Sequence, residues 1–192
     1  MSTRISIAIL ALIGTGAIFS WSYWPTPVNA FDLDGHSIDP LAVDAAATTL
    51  IFVGTDCPIS NRYAPEIQRL ATRYGAEGVQ FWLVYVDPAL EREEIRRHLS
   101  DFGHALPALH DPLHNLVALA HVTVTPEVAV FDADDQLVYS GRIDDRYIDF
   151  GKARPNARNR DLEEALKAVI AGRTPSTKRT RAVGCYIADL KE

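Results

Sequence analysis

Hydrophobic patterning divides the chain into alternating short strands and helices. The stretch "TTLIFVGT", residues 48–55, is almost continuously apolar and rich in β-branched side chains, which predicts a strand buried on both faces. "VQFWLVYVD" reads as a second strand of the same kind. Between them, from Asn61 to Tyr74, the apolar residues Tyr63, Ile67, Leu70, Ala71 and Tyr74 recur at helical spacing, and Gly75 and Gly78 end the segment. "PALEREEIRRHLSDFG" predicts a charged helix with a glycine stop, "ALPALHD" a short third strand, and "PLHNLVALAHV" a short helix. "TPEVAVFDADDQLVYSGRI" predicts a hairpin turning at Asp134-Asp135. "NRDLEEALKAVIAG" predicts a last helix, capped near Asn159 or Asp161 and stopped at Gly172. Upstream, "FDLDGHSIDP" predicts a small hairpin or edge element turning at Asp34-Gly35. Strands alternating with helices imply a mostly parallel sheet covered on both faces.

The N-terminus follows another pattern. Arg4 precedes an uncharged apolar run from Ile5 to Phe19, and the aromatics Trp21, Tyr23 and Trp24 follow. This is the plan of a secretory signal, with "VNA" before Phe31 as a cleavage site. It is equally the plan of an uncleaved anchor: Ile5 to Trp24 approaches the ~20 residues that span a bilayer. The cleavage site lies far from the apolar core, which favours the anchor. Arg4 would then stay inside and the aromatics at the outer interface. The expected division is a signal or anchor segment with tether over 1–30, a globular domain over 31–173, and a tail over 174–192. On either reading the domain is expected outside the cytoplasm, where disulfides persist.

Composition adds two constraints. A net charge of −6 without a basic face argues against nucleic-acid binding. The basic stretches "KARPNARNR" and "RTPSTKRTR" read as a solvated loop and helix flank, or as a contact for an acidic partner or lipid. There are two cysteines, Cys57 and Cys185.

Cys57 lies in "TDCPIS", at the junction of the first long strand and its helix. Unpaired N–H groups and partial positive charge at a helix N-terminus favour a thiolate, so Cys57 is the expected nucleophile; Asp56 works against the shift. The alternative is a buried, inert cysteine. Pro58 suits the first helical turn. Ser60 stands where a Cys-x-x-Cys site has its second sulfur.

"TDCPIS", "VTVTPEVAVFD" and the closing hairpin together resemble the thioredoxin-like superfamily, in its redoxin branch, across roughly Phe31 to Gly172. "DCPISNRYAPE", "GRIDDRY" and "VGCYI" are similar to stretches of bacterial redoxin-domain proteins. The resemblance implies a thioredoxin-like α/β fold, with a central mixed β-sheet flanked by helices. It implies a cis-proline at Pro126 beside the active cysteine. Thr55, Pro58, Thr125 and Pro126 are then expected on the substrate-binding surface. The implied activity is thiol–disulfide exchange with a protein thiol or disulfide, or a small thiol, and without a cofactor. Since a Cys-x-x-Ser site cannot resolve a mixed disulfide locally, Cys185 is the one internal candidate resolver, and Gly184 would let its backbone approach closely. Alternatively Cys185 is a free tail thiol or a structural staple.

Two related chemistries stay open. A peroxiredoxin would have Thr three positions before its cysteine, where this chain has Gly54, and an Arg nearby, for which Arg142 is a candidate. A Sco-type copper carrier would have Cys-x-x-x-Cys, where this chain has Asn61; His110 with both cysteines would be a substitute soft-metal set. His114 and His121 are expected to share a helix face, and His36, His98 and His104 to lie on the surface. "GRIDDRYIDFG" reads as an exposed salt-bridged turn with Tyr147 and Phe150 packing the tail, and "DADD" as a hairpin turn without the full calcium-loop pattern.

Overall fold

The computed structural model describes residues 29–188, and the expected signal or anchor lies outside them. Among the described residues no helix is long and apolar enough to cross a membrane. The elements in chain order are β1 (Ala30–Phe31), β2 (Ser37–Ile38), β3 (Ala47–Val53), α1 (Pro58–Gly75), β4 (Val79–Tyr85), α2 (Arg92–Asp101), β5 (Ala108–His110), α3 (Asn115–Ala120), β6 (Val124–Thr125), β7 (Glu127–Asp132), β8 (Leu137–Gly141), β9 (Tyr147–Asp149), β10 (Lys152–Ala153), α4 (Asp161–Ile170) and β11 (Cys185–Tyr186).

Seven strands form one mixed sheet in the order β2-β1-β5-β4-β3-β7-β8. β3 pairs in parallel with β4, and β4 with β5; the remaining pairs are antiparallel. The central position of β3 explains its uniform apolarity, because all seven of its residues are buried. Strand alternation separates two core layers. Ile51, Val53, Leu83, Tyr85, Val128 and Val130 face Ile59, Tyr63, Ile67 and Leu70 of α1 together with Leu162 and Leu166 of α4. Leu50, Phe52, Val84, Leu109, Ala129 and Phe131 face Leu116, Val117 and Ala120 of α3 on the other side.

The β7–β8 turn sits where expected. Asp135 has φ 57°, and the Asp132 carboxylate accepts hydrogen bonds from the Asp134 and Gln136 N–H groups. The Asp34-Gly35 turn also forms, with Gly35 at φ 92°. The expected boundary between residues 30 and 31 falls inside β1, which pairs with both β2 and β5; Ala30 is buried. α4 begins beside Asn159 and Asp161 as expected: Arg160 holds the N-cap position without a side-chain cap bond, the Asn159 N–H donates to Asp145, and Asp161 binds Arg142.

The tail does not hang free. The Ser140 N–H donates to Lys178 O (3.0 Å) and the Thr180 N–H to Ser140 O (3.1 Å), so the tail runs beside β8. A Cβ at Gly141 would lie 2.3 Å from Thr180 Oγ1, so only glycine lets the tail pass this close. Further on, the Ile187 N–H donates to Thr123 O (3.0 Å), and Ile187 is buried in the α3-side layer.

Candidate redox site

Cys57 is the N-cap of α1 in an extended conformation, φ −80° and ψ 107°, with Pro58 opening the helix. Its backbone leaves β3 and turns through Gly54, where a Cβ would lie 3.1 Å from Thr125 Oγ1 and 3.3 Å from Cys57 Cβ. The Cys57 side chain is fully buried. Its Sγ lies 3.0 Å from the Thr125 carbonyl oxygen and donates to it as a thiol. The Thr125-Pro126 peptide is cis.

β11 brings the second sulfur to this place. It pairs antiparallel with β6, Cys185 against Thr125 and Tyr186 against Val124. A Cβ at Gly184 would lie 2.1 Å from Thr125 O and 2.6 Å from Thr125 C, so glycine is what lets β11 press onto the cis-proline strand. Both cysteines are free thiols, Cys57 buried and Cys185 partly exposed.

Burial alone would push the Cys57 thiol up. Hydrogen bonds from the Cys185 side chain, the Ser60 hydroxyl, and the Ser60 and Cys185 backbone outweigh it, and the net shift is downward. The Thr125 carbonyl opposes them by favouring the protonated thiol, but it is one acceptor against these donors. Cys185 moves the other way, to about 12, through burial first and then its hydrogen bond to Cys57 and the charges of Cys57 and Asp56. The two shifts run in opposite directions, so Cys57 is the more readily ionised of the pair. Ser60 is buried; its Oγ accepts from the Gly54 N–H at 3.4 Å. At the position of a missing sulfur it supplies a donor to the remaining one.

Among the residues expected at the site, Thr55, Pro58, Thr125 and Pro126 all fall around Cys57, and Cys185 joins them through β11. A hydrogen-bonded chain behind the site gave no sequence signal. Tyr85 OH lies 2.8 Å from His98 Nδ1, His98 Nε2 lies 2.9 Å from Asn61 Oδ1, and Asn61 Nδ2 donates to Thr55 O at 3.0 Å. Every member is satisfied when each donates toward Thr55, which pins the loop before Cys57. His98 is thus buried, contrary to the expected surface position, because α2 turns that side chain into the sheet; His104 is half-buried and stacks on it at 6.0 Å.

Other expectations are corrected. His110 Nε2 is bonded to Asp87 O, away from both cysteines. The one cluster of potential metal ligands among the described residues is Asp32, Asp34 and His36 in the β1–β2 turn. His114 and His121 flank α3, both with left-handed backbone, and share no helix face. Arg142 is held by Asp161 at 2.8 and 3.2 Å. "GRIDDRY" is no exposed turn. Asp144 and Asp145 are buried, Asp144 accepting from Tyr63 OH (2.5 Å) and Asp145 from the Arg158 and Asn159 N–H groups. Tyr147 packs on Tyr63, with ring centroids 5.5 Å apart, whereas Phe150 is exposed.

A sheet of this order, a cysteine at the first turn of α1 and a cis-proline facing it define a thioredoxin-like protein with a thiol at its functional end. The chain belongs to the Redoxin family, whose profile matches residues 25–156, more than half of the chain. An uncharacterised conserved protein from Geobacillus kaustophilus is 26% identical with a TM-score of 0.72, over 87% of this chain and 90% of its own. A hypothetical protein from Sinorhizobium meliloti is 21% identical with a TM-score of 0.70, over 85% and 91%. A secreted Mycobacterium tuberculosis disulfide oxidoreductase homologous to E. coli DsbE shares the fold at 17% identity and a TM-score of 0.51, over 75% and 94%. No curated protein sequence matches the chain.

Proposed function

We propose that the protein is an extracytoplasmic thiol–disulfide oxidoreductase in which Cys57 and Cys185 form one redox couple. Cys57 supplies the thiolate, and Cys185 closes the internal disulfide from the tail. One observation carries the reading: β11 pairs Cys185 with Thr125, the residue whose carbonyl accepts the Cys57 thiol. A dithiol site normally takes both sulfurs from one helical turn. Here the second comes from across the cis-proline strand, and hydrogen bonds from Cys185 and Ser60 lower the pKa of the first. The fold shared with a secreted disulfide oxidoreductase supports the class of activity. The apolar N-terminus, Ile5 to Phe19, supports placement on the outer side of a membrane, either anchored or released. The partner is a protein thiol or disulfide, or a small thiol.

A non-reducing peptide map of the protein, taken before and after mild oxidation and again after reduction, tests the couple. A linked Cys57–Cys185 peptide that forms and breaks reversibly is the expected result. Two free thiols after oxidation would remove Cys185 from the mechanism.

A further inference from the structure

The two sulfurs are not equally placed to meet a partner. Cys57 is completely buried, beneath β11 on one side and against β6 and α1 on the others. Cys185 is partly exposed on a two-residue strand that pairs only with β6 among the described residues, and the next residue, Tyr186, is 85% exposed. Thiol–disulfide exchange requires the attacking thiolate to reach one particular sulfur, and its rate depends on access and on the leaving thiol. While the tail is docked, access exists at Cys185.

We propose that Cys185 is the sulfur that exchanges with the partner, and that Cys57 is the internal end of the disulfide. This rests on the reading of the two cysteines as one couple, and it reverses the roles expected from sequence, where Cys57 meets the partner and Cys185 resolves. In the oxidised protein a partner thiolate attacks Cys185 Sγ. The Cys57–Cys185 bond breaks, its electron pair leaves on Cys57, and a partner–Cys185 mixed disulfide forms. The partner's second thiolate then attacks its own sulfur in that mixed disulfide, and Cys185 leaves. The partner dithiol has become a disulfide and the protein disulfide a dithiol; the two protons lost by the partner's thiols pass to Cys57 and Cys185 or to water.

Two further features fit this route. The Ser60 donors and the Cys185 backbone N–H that stabilise a Cys57 thiolate make Cys57 the better leaving group, so attack at Cys185 is the productive direction. The other face of the same strand offers an extended surface. A groove of about 840 Å³ runs along the tail on the face of β11 opposite the Cys185 side chain, lined by Gly184 and Tyr186 and by Ile148, Phe150, Arg154 and Arg181. Ile148, Phe150 and Tyr186 are half of the exposed large apolar side chains among the described residues. Clustering of that kind marks an interaction surface, whereas scattered apolar residues do not.

The test uses the full chain, oxidised to the internal disulfide and mixed with excess reduced glutathione as the probe thiol. The reaction is quenched with acid within milliseconds and the adduct is located by mass spectrometry. Glutathione on Cys185 with Cys57 free is the expected product, in at least tenfold excess over the reverse adduct. Glutathione on Cys57, or adducts shared evenly, would overturn the assignment while leaving the couple intact. If no internal disulfide forms before the probe is added, the couple itself fails, and the assignment with it.

Discussion

Substituting Gly184 with alanine should separate the two sulfurs without touching either. The added Cβ would sit 2.1 Å from Thr125 O and 2.6 Å from Thr125 C, both backbone atoms of the cis-proline strand with no flexible end to move aside. The strand that gives way is β11, because β6 is tied into the core through β7 while β11 is held only at the edge. Lifting β11 loses burial of Ile187, about 2 kcal/mol, and its N–H bond to Thr123 O, about 1 kcal/mol. The freed residues regain conformational entropy, which offsets part of that sum. About 1.5 to 3 kcal/mol then separates docked from lifted tail, or a ten- to hundredfold change in the lifted population. With β11 as the cover over Cys57, its alkylation should accelerate by that factor. The assay is peptide-resolved alkylation by iodoacetamide on the reduced protein, with the thermal transition measured in parallel to show that the domain stays folded. The internal disulfide should also become easier to reduce by glutathione, since Cys185 no longer waits beside Cys57. Unchanged alkylation of Cys57 together with an unchanged disulfide equilibrium would refute the docking of β11 as the cause of its burial.

Three other outcomes follow from individual contacts. Ser60→Ala removes a donor to the Cys57 thiolate, worth about 1.5 kcal/mol for a bond to a charged group, and should slow Cys57 alkylation about tenfold at neutral pH and move its titration upward. Tyr63→Phe leaves buried Asp144 without its 2.5 Å donor, and chemical denaturation should show a loss of about 1 to 3 kcal/mol. His104 is driven down to about 4, by burial first and by His98 second; the unfolded chain therefore binds the proton more readily between 6.5 and 4. Its contribution to stability is present above 6.5 and lost as the pH falls toward 4, so the denaturation midpoint of the protein should fall across that window, and less so in His104→Gln. An equal slope in both proteins would count against the assignment.

The elements were legible because their signals are local. β3 and β4 are apolar runs, since a central strand is buried on both faces, and α1 carries its core positions at helical spacing. Gly54, Cys57, Pro58 and Ser60 lie in one short stretch, so one end of the site could be read directly. What was hidden depends on long-range packing. His98 looked like one polar residue in a charged helix, and only the placement of α2 against β4 turns it toward Tyr85 and Asn61. Asp144 and Asp145 looked like surface acids because their donors, Tyr63, Arg158 and Asn159, come from other segments. Gly184 could be noted as permissive, but that Thr125 is what it must clear needed the structure.

Ser60 and the tail belong to one arrangement. A second cysteine at position 60 would form its disulfide within the first turn of α1, beneath β11, with both sulfurs inside the domain. With the second sulfur on the tail, Cys57 stays buried while Cys185 lies partly exposed on a two-residue strand. The cost is that the proposed couple can close only while β11 is docked. The glycines support this placement: Gly141 admits the tail past β8, and Gly184 admits it onto β6. A Cβ at either site would collide with backbone or side-chain atoms at 2.1 to 2.3 Å, in one case on the tail itself and in the other on the cis-proline strand. The proposed redox site thus spans residues 54 to 187, and the segment that looked like a polar appendage packs against it.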